Sequence, residues 1–218
     1  MATALAVSIW PVLGLRVTTP RLELRPIDEE LGAELAQLAA GGIHDPADMP
    51  FAMPWSDVAP PLLQRNTIQY YARTLAEWTP ASWNCQFATI VDGAVLGTTA
   101  LFAKEFGLLR TFETGSWLGR DHQGRGIGAE MRVASLQLGF AGLDAERATT
   151  GAFADNPRSL GVTAKLGYRE VEGELKVRRG QRAEIRRFVM DRAHWEAQLR
   201  RDDITIEGLD ACRELFGV

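Results

Sequence analysis

The 218-residue chain is poor in the residues that make staples and metal sites. It has two cysteines, Cys85 and Cys212, and three histidines, His44, His122 and His194. Two distant cysteines exclude a disulfide framework and every paired-cysteine zinc or redox spacing. Three scattered histidines form no local ligand set, so no metal is expected. Buried reduced thiols suit a cytoplasmic protein. No apolar run reaches the roughly 20 residues that cross a bilayer. The opening MATALAVSIWPVLGL has no basic start and is broken by Pro11 and Gly14, so neither a signal peptide nor a membrane anchor is read there. The formal net charge of −4 lacks the basic footprint of a nucleic-acid binder.

What is present is ordinary for a folded domain: 46% hydrophobic and 24% charged residues. The length supports one core of its own, with a folded surface of roughly 10,000 Å². We divide the chain into an N-terminal extension (1–15), a main domain (16–200) and a C-terminal tail (201–218) packed on it. Two compositional features stand out. There are 21 glycines, and of the 24 basic residues only Lys104, Lys165 and Lys176 are lysines. The arginine excess reads mainly as a background bias, with phosphate contacts as the functional alternative.

Elements alternate in a mixed α/β order. Alternation over Val17–Ile27 predicts a strand. Asp28 caps a helix over 29–40 with the stripe Leu31, Leu35, Leu38. Residues 41–55 hold two glycines and three prolines and read as a loop. Pro60 and Pro61 open a helix with the stripe Ile68, Tyr71, Leu75, Trp78. Strands at 85–91 and 95–102 flank Asp92-Gly93, a hairpin signal. A third strand covers 111–118. Ile127, Met131, Ala134, Leu138 and Ala141 then repeat at helical spacing, with Glu130, Arg132 and Gln137 off that face. A strand (148–154), a helix (157–166), two strands (168–174 and 182–190) turning at Gly180, and a helix (191–200) follow. The tail reads as a short strand-like piece and a final helical turn.

The most informative stretch runs from Gly115 to Gly128, where a strand ends, glycines alternate and an amphipathic helix begins. Glycines there let backbone N–H groups converge at a helix N-terminus, an anion site suited to a pyrophosphate. A Walker A loop needs a terminal Gly-Lys-Ser/Thr, which is missing. A Rossmann loop needs G-x-G-x-x-G near the start of a βαβ unit, whereas these glycines run G-x-G-x-G past the middle of the chain. The remaining spelling is Q-x-x-G-x-G: Gln123, Gly126, Gly128.

This segment resembles the acyl-CoA-binding loop of the GCN5-related N-acetyltransferase (GNAT) superfamily. The order of elements over about 16–190 is similar to that family's core. Thr19-Pro20-Arg21-Leu22-Glu23-Leu24-Arg25-Pro26 resembles the opening of its RimJ/RimL-like branch. Asn156-Pro157-Arg158-Ser159, followed by Lys165-Leu166-Gly167-Tyr168, resembles that branch's N-x-x-S segment. The 41–55 loop and the tail resemble actinobacterial members, some of which take succinyl-CoA.

The resemblance implies a GNAT fold, with a central mixed seven-stranded sheet flanked by helices, and a CoA-dependent N-acyltransferase. The donor is acetyl-CoA or succinyl-CoA, and the acceptor is a small-molecule amine or a protein N-terminus. A homodimer or higher homo-oligomer is the family expectation; a silent acyl-CoA sensor or interaction module is the alternative function. By the resemblance, Gln123, Gly124, Arg125, Gly126, Ile127 and Gly128 hold the pyrophosphate. Trp117, Leu118 and Gly119 meet the pantetheine amides where two central strands splay. Asn156 bonds pantetheine or caps a helix before Pro157. Ser159 is the candidate acid for the departing thiolate, and Glu113 the carboxylate best placed as a base. Phe51, Met53 and Trp55 form an apolar acceptor wall.

Overall fold

The computed structural model describes residues 3–218; the first two residues of the expected extension lie outside the described residues. The chain opens with α1 (Ala4–Ile9) and a 3-10 turn, then β1 (Arg16–Thr18) and β2 (Glu23–Pro26). After these come α2 (Glu29–Ala40), α3 (Leu62–Ala76), β3 (Ser82–Val91), β4 (Ala94–Lys104), the short α4 (Phe106–Leu109) and β5 (Thr111–Leu118). The second half runs α5 (Ile127–Gln137), β6 (Arg147–Phe153), α6 (Pro157–Lys165), β7 (Arg169–Arg178), β8 (Gln181–Asp191), α7 (Arg192–Gln198) and β9 (Thr205–Glu207). All strands form one sheet in the order β7-β8-β6-β5-β4-β3-β2-β1-β9. Its one parallel pair is β5–β6, joined by the α5 crossover.

Nine strands replace the expected seven for two reasons. The stretch 17–27 is not one strand but a hairpin, in which Val17 pairs with Leu24. Pro20 cannot donate a ladder bond, and Thr19 Oγ1 accepts from the Leu22 amide at 3.1 Å to close the turn. The tail adds β9, paired with β1.

Local chemistry explains most boundaries. Asp28 caps α2 by accepting from the Leu31 amide at 3.0 Å, and Glu29 and Glu30 favour the positive helix end. Asp92 and Gly93 both take positive φ, +50° and +80°, which sets the β3–β4 hairpin. Alternation along β3 sends Cys85 and Phe87 into the large core with α5, and Ala88 and Ile90 into a smaller one with Leu31, Leu35 and Tyr71. The helices therefore sandwich the sheet, α5 and α6 on one face and α2 and α3 on the other.

Two helices differ from their expected stripes. On α3 the buried residues are Leu63, Thr67 and Tyr71, while Ile68 and Leu75 are exposed. The helix covers only β3 and its neighbours, so its outer turns meet solvent. On α5 burial extends almost all round: Arg132 and Gln137 are buried, whereas Ala141 is exposed. The helix also continues into a π-turn over Leu138–Gly142, which rotates Ala141 off the inner face.

Both chain ends join the large core through Val12, Leu15, Cys212 and Phe216. Trp78 and Trp83 donate their indole N–H groups to the Leu215 and Phe216 carbonyls, at 2.8 and 3.1 Å. Both cysteines are free and buried, and burial pushes their thiols up, Cys212 to about 11. Among the described residues there is no metal-binding cluster, and no helix is long and apolar enough to cross a membrane.

Candidate active site

The glycine loop lies between the end of β5 and the start of α5. Gly124 and Gly126 take φ of +76° and +82°, a region a side chain strongly disfavours. Gly126 is the N-cap of α5 and no side chain caps that end. The Ile127 and Gly128 amides therefore remain open to an anion, while the Ala129 amide already donates to the Gly126 carbonyl at 3.2 Å. Gln123 holds the loop rather than the mouth: its Nε2 donates to the Ile43 and Leu118 carbonyls at 2.8 and 2.9 Å. Its Oε1 accepts from Arg158 at 2.5 Å. Arg21 donates to the Arg125 carbonyl at 3.2 Å and pairs with Glu130 at 3.2 Å. Arg125 itself is exposed, so three arginines, Arg21, Arg125 and Arg158, stand on or beside the loop. Ile127 is 5% exposed, so only its amide is available to a ligand. Gly128 packs near Leu118 and Val162, where a Cβ would stand 3.7 and 4.0 Å from their methyls.

From this loop a cleft opens between β5 and β6. Their ladder has only three pairs and ends at Glu113↔Thr149, although β5 continues to Leu118 and β6 to Phe153. Beyond that point the two facing edges have no ladder partner. Leu118 and Trp117 remain paired with β4, through Gly97 and Thr98. On the α5 face the Arg132 guanidinium bridges the opening. It donates to Thr150 Oγ1 at 3.1 Å and to Ser116 Oγ at 3.3 Å. Across the cleft Asn156 caps α6, its Oδ1 accepting from the Ser159 amide at 3.1 Å. Ser159 is half-buried in that first turn, and its carbonyl accepts from Thr163 at 3.0 Å.

The opposite face of β5 carries Glu113, Gly115 and Trp117 in a row. Glu113 accepts from Arg187 of β8 at 2.8 Å, and Arg187 also meets Glu174 at 3.1 Å. The guanidinium reaches Glu113 across Gly151, where a Cβ would stand 3.1 Å from Arg187 Nη1. Glu113 also lines a cavity of about 480 Å³ with Glu77, Asn84, Phe102, Lys104 and Thr149. Farther along β5, Trp117 meets Trp55 at 5.9 Å between ring centroids, and Trp55 meets Phe51 at 5.2 Å. Met53 does not join them: it is 77% exposed. The proline-rich loop turns its side chain outward between Phe51 and Trp55, so the expected three-residue wall reduces to two residues plus Trp117.

The loop that carries this wall is tied down by the β7–β8 turn. Arg178 pairs with Asp155 and donates to the Met49 carbonyl at 2.9 Å, with its guanidinium 4.2 Å from the Phe153 ring centre. Arg179 pairs bidentately with Asp57. Hydrogen bonds from these guanidiniums hold both carboxyls below the usual range.

Sequence reasoning missed Arg21 and Arg158 beside the loop and Arg187 beside Glu113. Arg21 and Arg158 lie inside motifs quoted for the resemblance, and that was the available signal. No local spacing reveals Arg187, which is 74 residues from Glu113.

A family model described as an acetyltransferase (GNAT) domain matches residues 21–169. Solved structures with similar folds include a GCN5-related N-acetyltransferase from Brucella melitensis, at 19% identity and TM-score 0.66, covering 84% of this chain and 81% of that one. A GNAT-family acetyltransferase from Bacillus anthracis is 15% identical with TM-score 0.65, covering 82% and 99%. The ribosomal L7/L12 α-N-protein acetyltransferase RimL, solved in complex with coenzyme A, is 16% identical with TM-score 0.66, covering 79% and 95%.

Proposed function

From the premise that this chain belongs to the GNAT acetyltransferase family, we propose that it is an N-acyltransferase that moves an acetyl group from acetyl-CoA to a primary amine within one ternary complex. The observation that carries the reading is the uncapped head of α5, opening directly onto the β5–β6 splay. The first-turn amides and the three arginines suit a pyrophosphate. The unpaired strand edges suit the amides of a pantetheine arm, which would satisfy backbone groups otherwise left open.

The two faces of the sheet divide the work. On the α5 face, Asn156 and the edges of β5 and β6 would orient the arm, and the Ser159 hydroxyl would return a proton to the leaving sulfur directly or through water. On the other face, Glu113 with Arg187 forms a polar end and Trp55 with Trp117 an apolar one. Gly115 lies between them and leaves the strand surface open, since a Cβ there would meet only Phe102, at 3.7 Å. An amine entering over Gly115 would bring its cation to Glu113 and its apolar part to the tryptophans. A strand amide would serve the developing oxyanion. RimL is named for acylating a protein N-terminus; here the acceptor class is a small amine or such a terminus.

Calorimetry with acetyl-CoA, succinyl-CoA and free CoA, followed by an amine panel with the bound donor, tests this reading. Binding of acetyl-CoA with turnover that Ser159→Ala removes, while CoA binding persists, supports it. No binding of any CoA species at about 100 µM, where a Kd in the usual micromolar range would register, refutes it. One observation favours an acyl-CoA sensor instead: Glu113 is already engaged by Arg187. Tight binding without turnover on any amine would select that second reading.

A further inference from the structure

Arg132 is 4% exposed and stands at the closed end of the β5–β6 splay. Its two protein partners are neutral hydroxyls, and its buried Nε has no hydrogen-bond partner. Among the described residues no carboxylate lies within ion-pair distance of it. Glu130, on the same helix, is taken by Thr19 and Arg21, and Glu113, across the sheet, by Arg187. A buried, uncompensated guanidinium is costly and stays charged at any working pH. Such a charge is useful where negative charge appears only during a reaction, because a fixed cation in a low-dielectric site acts strongly on it.

The position says which charge. Arg132 lies six residues beyond Gly126, about 9 Å along α5 at 1.5 Å per residue. Ser116 and Thr150, the two side chains it holds, lie on that face past the end of the β5–β6 ladder, where buried Thr114 precedes Ser116 on β5. An arm running inward from the glycine loop would end at this point.

We propose that Arg132 is a positioning residue whose buried charge stabilises the CoA thiolate as it leaves, acting through the Ser116 hydroxyl, since Thr150 already donates its hydroxyl hydrogen to the Thr114 carbonyl at 3.0 Å. The inference rests on the acyltransferase reading. In the step concerned, the amine nitrogen forms its bond to the thioester carbonyl carbon and the C–S bond breaks. The bonding pair stays on sulfur, opposite Arg132, and the proton lost by the amine ends on sulfur through Ser159 or water.

The test is the ultraviolet thiolate absorbance of CoA bound to the full-length protein, followed against pH. At a given pH, bound CoA should carry about tenfold more thiolate than free CoA, as an opposite charge nearby dictates. Arg132→Met should remove that excess and Arg132→Lys should restore part of it, with the CoA dissociation constant changing less than about threefold in each. Wild-type protein that binds CoA with the thiol titrating as in free solution overturns the proposal without any variant. An excess that survives in a folded Arg132→Met protein overturns it as well. Failure of the wild type to bind CoA would instead remove the acyltransferase reading beneath it.

Discussion

Substituting alanine at Gly126 isolates what the glycine loop does. The φ of +82° makes any Cβ there unfavourable by about 1–2 kcal/mol. The space itself is free: the added Cβ would meet only Arg21 Nη1, at an ordinary 3.6 Å. For a chain of this size the penalty corresponds to a melting temperature lower by about 2–8 °C. Gly93 supplies the control. Its φ is +80°, nothing lies within 4 Å of its would-be Cβ, and it sits in the β3–β4 turn away from the loop. Gly93→Ala should lose similar stability and keep its CoA affinity. Gly126→Ala should also weaken CoA binding, because a Cβ shifts the amides that meet the pyrophosphate. A hydrogen bond to a charged group contributes about 1.5–3 kcal/mol, so losing one lowers affinity roughly 10- to 150-fold. Gly126→Glu adds a like charge and should abolish binding. Thermal melts and calorimetry on the same preparations separate the two effects. Equal CoA affinity for wild type, Gly93→Ala and Gly126→Ala would refute the assignment of this loop.

Other perturbations test neighbouring parts of the structure. Asn156→Ala removes the α6 cap and should cost about 1 kcal/mol in denaturant unfolding, whereas Asn156→Asp should keep most of it. Gly139→Ala places a Cβ 2.2 Å from the buried ring of Phe112 and should destabilise by about 1–3 kcal/mol. Phe112→Leu in the same chain should make that added methyl less costly, a coupling a double-mutant cycle would read. The carboxyls of Asp57 and Asp155 titrate lower when folded than unfolded. Their contribution is therefore complete above the usual carboxylate range of about 4 and is lost as pH falls through the folded values. Amide protection factors within residues 41–58 should fall in acid, and Asp57→Asn should reproduce part of that at neutral pH. Protection that falls uniformly over the chain would contradict this local role.

Elements set by short-range chemistry were legible from the residues. The cap at Asp28, the Asp92-Gly93 turn and the full extent of β5 appear where their signals stand. The same holds for the glycine loop, because its chemistry is backbone chemistry and glycine marks it directly. Elements set by partners were not legible. Alternation over 17–27 is the same for one long strand and for two short ones folded on each other, so period alone hides the β1–β2 turn. The polarity of Arg132 and Gln137 predicts an outer helix face. Each is buried because something distant receives it: Thr150 and Ser116 for Arg132, the Arg201 carbonyl for Gln137. Met53 shares a loop and an apolar character with Phe51 and Trp55, and only the path of that loop separates them.

The arginine excess shows why composition underdetermines function. A background bias and a working set of guanidiniums give the same count. Placement separates them, because a planar fork makes contacts that an ammonium cannot reproduce. Arg179 grips both oxygens of Asp57 and two loop carbonyls together, and Arg178 stacks on Phe153 while it bridges Asp155 and Met49. Arg187 spans Glu113 and Glu174 from one strand. These three hold the aromatic loop and Glu113 on the Trp117 face of the sheet, and Arg21 and Arg158 brace the glycine loop. These five of the chain's arginines thus lie where two distant segments are held together, on both sides of the splay. Arg132 is the exception: it holds two hydroxyls and no carboxylate, so its charge is left for whatever enters the cleft.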